Sequence, residues 1–372
     1  MEYDPALDQD ADGLTLSEKD QLSEAEPEIP PVVYQARDFQ VDGLVQRLNN
    51  GYIKIPRFGH NDPEITTPGF QRSFVWKKEQ MDRFIESLLL GYPVPGIFLV
   101  NQEDNKYLVL DGQQRLLTLQ KFYAGLHDGK EFRLVNVNNS LKNFTYDSLP
   151  LDLRLKLDNS FFNATVVEPT GSDNDMEAVY QIFERLNAGG TPLTPHEIRV
   201  ALYSGPFIDY LENLNLNQYW RELYGKPSPR IRDQELVLRI LALFTSGDRY
   251  FTPLKTFLNS FTKENRYYSD DVELRSAGEL FKQASKLLQE SVGRSALKTS
   301  GYTINAAKTE AIFVGLMKRL AAGYQISAEG IKDVISELDE NINFLLTIDG
   351  STASTTAVGT RLAAAINAFA GA

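Results

Sequence analysis

The sequence predicts an α+β protein, with an α/β unit in its N-terminal half followed by an all-helical unit. Three observations lead there. A chain of 372 residues exceeds what one ordinary core supports, so two domains are expected. At its centre, the short apolar run Tyr107-Leu-Val-Leu110 has the length of a buried strand. Directly after it, Leu116, Leu119 and Tyr123 fall at helical spacing. Beyond Gly171 the pattern turns to helix after helix.

Residues 1–30 hold ten acidic side chains against one lysine, a local charge of −9 that leaves −3 of the total −12 for the rest. With few large apolar residues, this stretch is expected to be a disordered acidic tail. Within it, Asp8 to Gly13 imitates the start of an EF-hand loop, but Lys19 stands where a bidentate glutamate is needed. A globular α/β domain is expected over 31–170. Val41–Leu48 reads as an amphipathic helix ending at Asn49-Asn50-Gly51, and Tyr52–Pro56 as a strand. Gly59–Pro68 reads as a surface loop. Met81, Phe84, Ile85 and Leu88 mark a helix stopped by Gly91 and Pro93, and Pro95–Val100 a strand. Further strands are expected at Phe132–Val137 and Ala164–Val167.

The helical domain is expected over 171–372. Its helices are Asp175–Leu186, Thr194–Tyr203, Pro206–Leu214, Asp233–Phe244, Thr309–Leu320, Ile331–Leu346 and Thr356–Phe369. No stretch has the apolar length that spans a bilayer. The acidic first residues lack the features of a signal peptide, and a chain without cysteine has no disulfides, so a cytoplasmic protein is expected. Three scattered histidines, His60, His127 and His196, leave few ways to build a histidine-based metal site.

The segment Asp111-Gly-Gln-Gln-Arg115 lies where the chain must turn from strand to helix. Gly112 permits dihedrals closed to other residues and lets a ligand approach the backbone. The amides of Gln113 and Gln114 would be unpaired donors at a helix start, which attract anions. Arg115 adds a forked cation suited to phosphate. Asp111 is suited to hold Mg2+ or orient a water. The plain alternative is a capped polar turn. Upstream, Arg72, Phe74 and Trp76 lie on an extended segment. There Arg72 could meet phosphate and Trp76 stack on a base, or the two aromatics could simply pack in a core. Downstream, Phe183 to Glu197 reads as a helix ending at Asn187, a Gly189-Gly190 turn and a capping box of Thr194 and Glu197 with Pro195 between them. His196, in that first turn, is expected on the surface. Ser351–Thr356 with Arg361 is a further candidate wall of the site.

These three runs resemble, in order, those of the N-terminal domain of GmrSD-type modification-dependent restriction enzymes. The matching runs are Phe70–Trp76 with the Gly91–Pro95 stretch, Asp111–Arg115, and Phe183–Glu197, spanning roughly Phe70 to Tyr203. The resemblance implies a ParB/sulfiredoxin-like fold and a loop that binds and hydrolyses nucleoside triphosphates with Mg2+. It implies Asp111 and Gln114 as catalytic residues. Arg72, Trp76, Gly112, Gln113, Gln114, Arg115, Arg185 and Asn187 would be nucleotide-binding, and Asp111 the metal ligand. The chain would then be the NTP-hydrolysing sensor of a restriction-type antiphage system. Because no histidine follows His196, the nuclease that such systems need is expected on a separate effector protein, with DNA engaged through the complex. A homo-oligomer is compatible with this reading. Two alternatives stay open, a metal-dependent nuclease of ParB-like type and a non-catalytic nucleotide-binding switch.

Overall fold

The computed structural model describes residues 18, 21, 32–56, 76–102, 106–169, 175–187, 193–268, 271–299, 304–349 and 352–372. The chain divides into two compact units, one of residues 28–57 and 71–187, the other of residues 1–27, 58–70 and 188–372. It is α+β, with a mixed sheet in the first unit and helices in the second.

The first unit contains β1 (Val33–Gln40), α1 (Val41–Asn49), β2 (Ile53–Lys54), α2 (Lys78–Leu90), β3 (Ile97–Asn101), β4 (Tyr107–Asp111) and α3 (Gln113–Tyr123). After these come the small ladder of β5 (Leu126–His127) and β6 (Lys130–Glu131), then α4 (Leu151–Asp158), β7 (Phe161–Glu168) and α5 (Asp175–Leu186). The five-stranded sheet runs β1-β7-β3-β4-β2. β1–β7 and β3–β4 are antiparallel, while β3–β7 and β2–β4 are parallel. Alternation sorts the strand residues onto two faces. Ile97, Leu99, Val109, Ala164 and Val166 share a core with Leu44 of α1, Ile85 of α2, Leu116 and Leu119 of α3, and Leu157 of α4. The alternate set, Val100, Leu108, Leu110 and Val167, is buried outside that core, and α5 packs on β4. Burial on both faces is why Tyr107–Leu110 is apolar throughout rather than alternating.

α5 thus belongs with the sheet, and the division between the units falls after Asn187 instead of at 170. β1 escaped the sequence reading because it is a largely exposed edge strand with no apolar alternation. The strand expected at Phe132–Val137 does not form. Phe132 and Leu134 are buried, but the N–H groups of Val135 and Asn136 donate to Asp82 Oδ2 of α2 at 3.2 and 3.0 Å, in place of a neighbouring strand.

The second unit is built of α6 (Pro195–Leu202), α7 (Pro206–Asn215), α8 (Gln218–Tyr224), α9 (Arg232–Ser246), α10 (Leu254–Glu264), α11 (Val272–Ser291), α12 (Ala306–Ala321), α13 (Ala328–Glu340), α14 (Ile342–Ile348) and α15 (Thr355–Gly371). One core joins them, with Trp220, Phe281 and Phe313 in mutual ring contact at its middle, their centroids 5.3–5.6 Å apart. Gly315 lets α12 approach α15 closely, since a Cβ there would lie 2.8 Å from Ala365 O. The single helix expected over Ile331–Leu346 is two, because Asn341 ends α13 and its side chain caps α14 by accepting from Phe344 N at 3.1 Å.

Residues 1–30 fall mostly outside the described residues, as do the EF-hand-like stretch, Gly59–Pro68 and the Gly189-Gly190 turn. Two tail residues are described, however, and they are not disordered: Glu18 and Gln21 are helical and buried.

Candidate functional site

The Asp111–Arg115 loop is shaped by its neighbours on β3. Between Phe98 and Leu99 the β3–β4 register slips, so that Asp111 pairs with Phe98 but Val109 pairs with Leu99, leaving Leu110 as a bulge. Such a bulge ends regular pairing and re-aims the residue that follows it. Gly112 then takes φ 98°, where a side chain is strained, and any Cβ would also overlap Ile97 Cγ2. Glycine is therefore required here by the fold alone, whatever else the loop does.

From Gly112 the chain enters α3, and Leu116 N donates to Gly112 O at 3.0 Å as the helix closes its first turn. No side chain caps this end. An uncapped N-terminus presents backbone N–H groups and the positive end of the helix dipole, the arrangement that suits an anion.

Arg115 lies one turn into α3 and reaches back across Gly112. Its Nη2 donates to Asp111 Oδ2 at 2.7 Å, and its Nη1 donates to Pro95 O at 2.7 Å and to Gly96 O. The side chain is only 12 % exposed, against 43 % for Asp111. The guanidinium expected to meet phosphate thus also pins the entry of β3 to the exit of β4. Of its five N–H groups, Nε–H and one on Nη2 remain after these contacts. Asp111 Oδ1 accepts no hydrogen bond among the described residues.

Gln114 Oε1 accepts from Trp76 N at 3.2 Å, and Gln113 Nε2 donates weakly to Pro56 O at 3.5 Å. The first of these contacts brings Trp76 to the loop through its backbone. The indole is half-buried, packs against the apolar core and meets the Phe84 ring edge-on at 5.5 Å, as a core aromatic does. Arg72 lies outside the described residues. Arg185 is exposed on α5, where Nη2 sits 3.5 Å from Gln181 Oε1. Asn187 closes the helix end, its Nδ2 donating to Phe183 O at 2.8 Å. The structure therefore brings Asp111, Gly112, Gln113, Gln114, Arg115 and Trp76 together, while Asn187 closes the end of α5.

Two expectations are corrected. Arg361 does not line a polar wall: it is fully buried and pairs with Glu310, while its Nη1 donates to Thr352 O at 2.6 Å. His196 is not on the surface but fully buried. Arg199 Nη1 donates to its Nδ1 at 3.1 Å, so its Nε2–H donates to Gln234 Oε1 at 3.0 Å. Burial and the neighbouring Arg199 hold its pKa well below the ordinary value, which keeps the ring neutral. The capping box does form: Thr194 Oγ1 accepts from Glu197 N at 3.1 Å, and Thr194 N donates to Glu197 Oε2 at 2.7 Å. Pro195 occupies the first turn as expected. Glu197 then takes a second partner, the buried Arg230, whose Nη2 donates to Oε2 at 2.7 Å.

The sequence reading missed Asp82. Its carboxylate is wholly buried, pairs with Lys78 and accepts three hydrogen bonds from Val135 and Asn136. The only trace in the sequence is its place beside Met81, on the buried face of α2, four residues before the largely buried Glu86.

Among the described residues no group of three or more His, Cys, Asp or Glu side chains could hold a metal ion. A single carboxylate, Asp111, at an uncapped helix start is compatible with Mg2+ only if phosphates and water supply the rest of its shell, as that ion commonly allows. No helix among the described residues is long and apolar enough to cross a membrane.

Comparison with curated proteins finds no match. Residues 54–204 match the family model described as the GmrSD restriction endonuclease, N-terminal domain. That range runs from the end of β2 to just past α6 and contains the whole loop. Residues 54–204 of this chain are therefore an N-terminal domain of the GmrSD restriction endonuclease family.

Proposed function

We propose that the β4–α3 loop binds and hydrolyses a nucleoside triphosphate, and that the chain is the sensor of a restriction-type defence system in the cytoplasm. The observation that carries this reading is the uncapped start of α3, set immediately behind the Asp111–Arg115 pair in a GmrSD-type domain. The triphosphate would lie against the backbone of Gln113 and Gln114, with the remaining Arg115 donors on its oxygens. Trp76 fixes Gln114 through the backbone hydrogen bond and so sets where that amide sits beside the phosphates. Asp111, whose second oxygen holds Arg115 in place, would share the ion. Asp111 would be the protein ligand of Mg2+, and the ion would supply positive charge against the charge that builds on the phosphates.

The output would pass to an effector nuclease on a separate polypeptide, with DNA engaged by the complex. His196, for its part, is buried and held neutral inside the helical unit, so its imidazole is not presented to a substrate there. Titration calorimetry with each of four NTPs and Mg2+ tests the binding step. Micromolar to millimolar affinity that disappears in Asp111→Asn supports it. A folded protein that binds none of them refutes it.

A further inference from the structure

β1 ends the five-stranded sheet, and its outer edge has no partner strand among the described residues. Soluble proteins commonly blunt such an edge with proline, lysine, a bulge or a covering segment, because a bare edge pairs with other chains. Val33–Gln40 holds neither proline nor lysine, and it pairs with β7 from Val33↔Glu168 to Gln40↔Phe161 without a register shift. All of its residues but Arg37 and Phe39 are exposed, with Val33 at 49 % and Tyr34 at 69 %.

The direction of each backbone group on this edge follows from one hydrogen bond. Val41 N, directly after β1, donates to Ser160 O at 3.0 Å in continuation of the β1–β7 register. In an antiparallel strand the N–H and C=O of one residue point to the same side, and successive residues alternate. Val33, Gln35, Arg37 and Phe39 therefore bond inward to β7, whereas Tyr34, Ala36, Asp38 and Gln40 offer both groups outward. Arg37 is also turned inward by its side chain, donating to Tyr107 Oη at 2.5 Å and to Glu168 Oε1 at 3.0 Å.

We propose that β1 pairs antiparallel with β1 of a second copy of this chain, with Ala36 on the two-fold axis. A closed dimer uses the same patch twice, so the two edges meet about an axis normal to the sheet. Outward residues must face outward residues, which places the axis on a residue instead of between two. Centred on Arg37, the strands would oppose two guanidinium groups, and centred on Asp38, two carboxylates, and like charges directly opposite are destabilising. Centred on Gln35, Asp38 and Phe39 would pass beyond the end of the other β1. Centred on Ala36, no like charges are opposed: Tyr34 meets Asp38, Gln35 meets Arg37 and Val33 meets Phe39, each twice. The charge pattern thus selects the second copy and its register together. With one strand from each copy, the interface is small and the dimer weak. It does not rest on the nucleotide reading of the β4–α3 loop.

Disulfide trapping tests the register on the full-length chain, which has no cysteine of its own. Directly opposed, hydrogen-bonded residues lie about 5.5 Å apart at Cα, a separation that a disulfide bridges. Mild oxidation of Ala36→Cys should give a cross-linked dimer at least about tenfold faster than Gln40→Cys, which lies on the same exposed edge but away from its own copy. Sedimentation equilibrium reads the interface without a cross-link, and the unaltered chain should pass from monomer to dimer over micromolar concentrations. Tyr34→Glu sets an acid opposite Asp38 and should weaken the dimer about tenfold, and adding Asp38→Lys should restore it to within about twofold. All four positions are exposed, and circular dichroism checks that each variant is folded. A chain that stays monomeric throughout, a dimer indifferent to Tyr34→Glu, a double variant no tighter than the single one, or equal trapping of Ala36→Cys and Gln40→Cys would each overturn the proposal.

Discussion

Arg115 and Asp111 face each other across Gly112, Nη2 to Oδ2 at 2.7 Å, so that the first turn of α3 is tied back to the last residue of β4. The same arginine holds Pro95 O and Gly96 O at the entry of β3. It therefore serves two ends, a fixed loop and a cation at the helix start. Arg115→Ala should abolish NTP binding and also lower stability by about 1–3 kcal/mol, because charged hydrogen bonds are lost and two carbonyls are left without their donor. Lysine cannot reproduce the fork, so Arg115→Lys should recover little of either. Calorimetry and urea unfolding of the same samples separate the two losses. Full stability with full binding in Arg115→Ala would refute both roles.

Gly112→Ala should destabilise the first unit by about 1–3 kcal/mol, from positive-φ strain together with the overlap at Ile97. In an Ile97→Ala background the overlap with Cγ2 is gone, leaving a tight contact with the residue 97 Cβ at 3.0 Å and the strain, so the two substitutions should be non-additive. Additive costs in urea unfolding would show that Ile97 does not set the requirement.

Stability should fall with acid in two windows. His196 is buried neutral with its pKa held below the unfolded value of 6.5, so the unfolded chain gains a proton first and stability declines as pH drops below about 6.5. Burial pushes the Glu310 pKa up, but Arg239, with Nε at 2.8 Å from Oε2, and Arg361 outweigh it and hold it below the ordinary glutamate value of 4.5. Its contribution is complete above that value and is lost as pH falls through the folded pKa. Glu310→Gln should cost about 3–5 kcal/mol near neutrality by stranding two buried arginines, and should flatten the lower window. His196→Gln should flatten the upper one. Urea unfolding from pH 2 to pH 8 reads both, and unchanged profiles in the variants would contradict these assignments.

Glu18→Ala should lower the melting temperature by a few degrees, since a bidentate pair with one buried partner is lost from the first turn of α9. An unchanged melting temperature would mean that the segment is as loosely held as its composition alone suggests.

Much of the site was legible in the sequence because local chemistry dictates it. The switch of apolar period at Asp111-Gly112, and the Thr194/Glu197 capping box with Pro195, are rules satisfied within a few residues. What could not be read depends on distant partners. α11 (Val272–Ser291) buries a stripe at helical spacing, but small residues such as Ala277, Gly278, Ala284 and Ser285 fill much of it, and α4 and α8 are short. Glu18 has the composition of a tail, and only Arg232, 214 residues away, makes it part of the fold. Asp82, His196 and Arg361 look like surface residues for the same reason, since what buries each is a partner from another element.

Turnover at the β4–α3 loop is tested most directly by phosphate release from each of the four NTPs, with Mg2+ and the full-length chain, with and without DNA. The account predicts release from at least one NTP, abolished by Asp111→Asn and by Arg115→Ala while Arg185→Ala leaves most of it. Folded protein that releases no phosphate under any of these conditions, or release that survives Asp111→Asn, would contradict it.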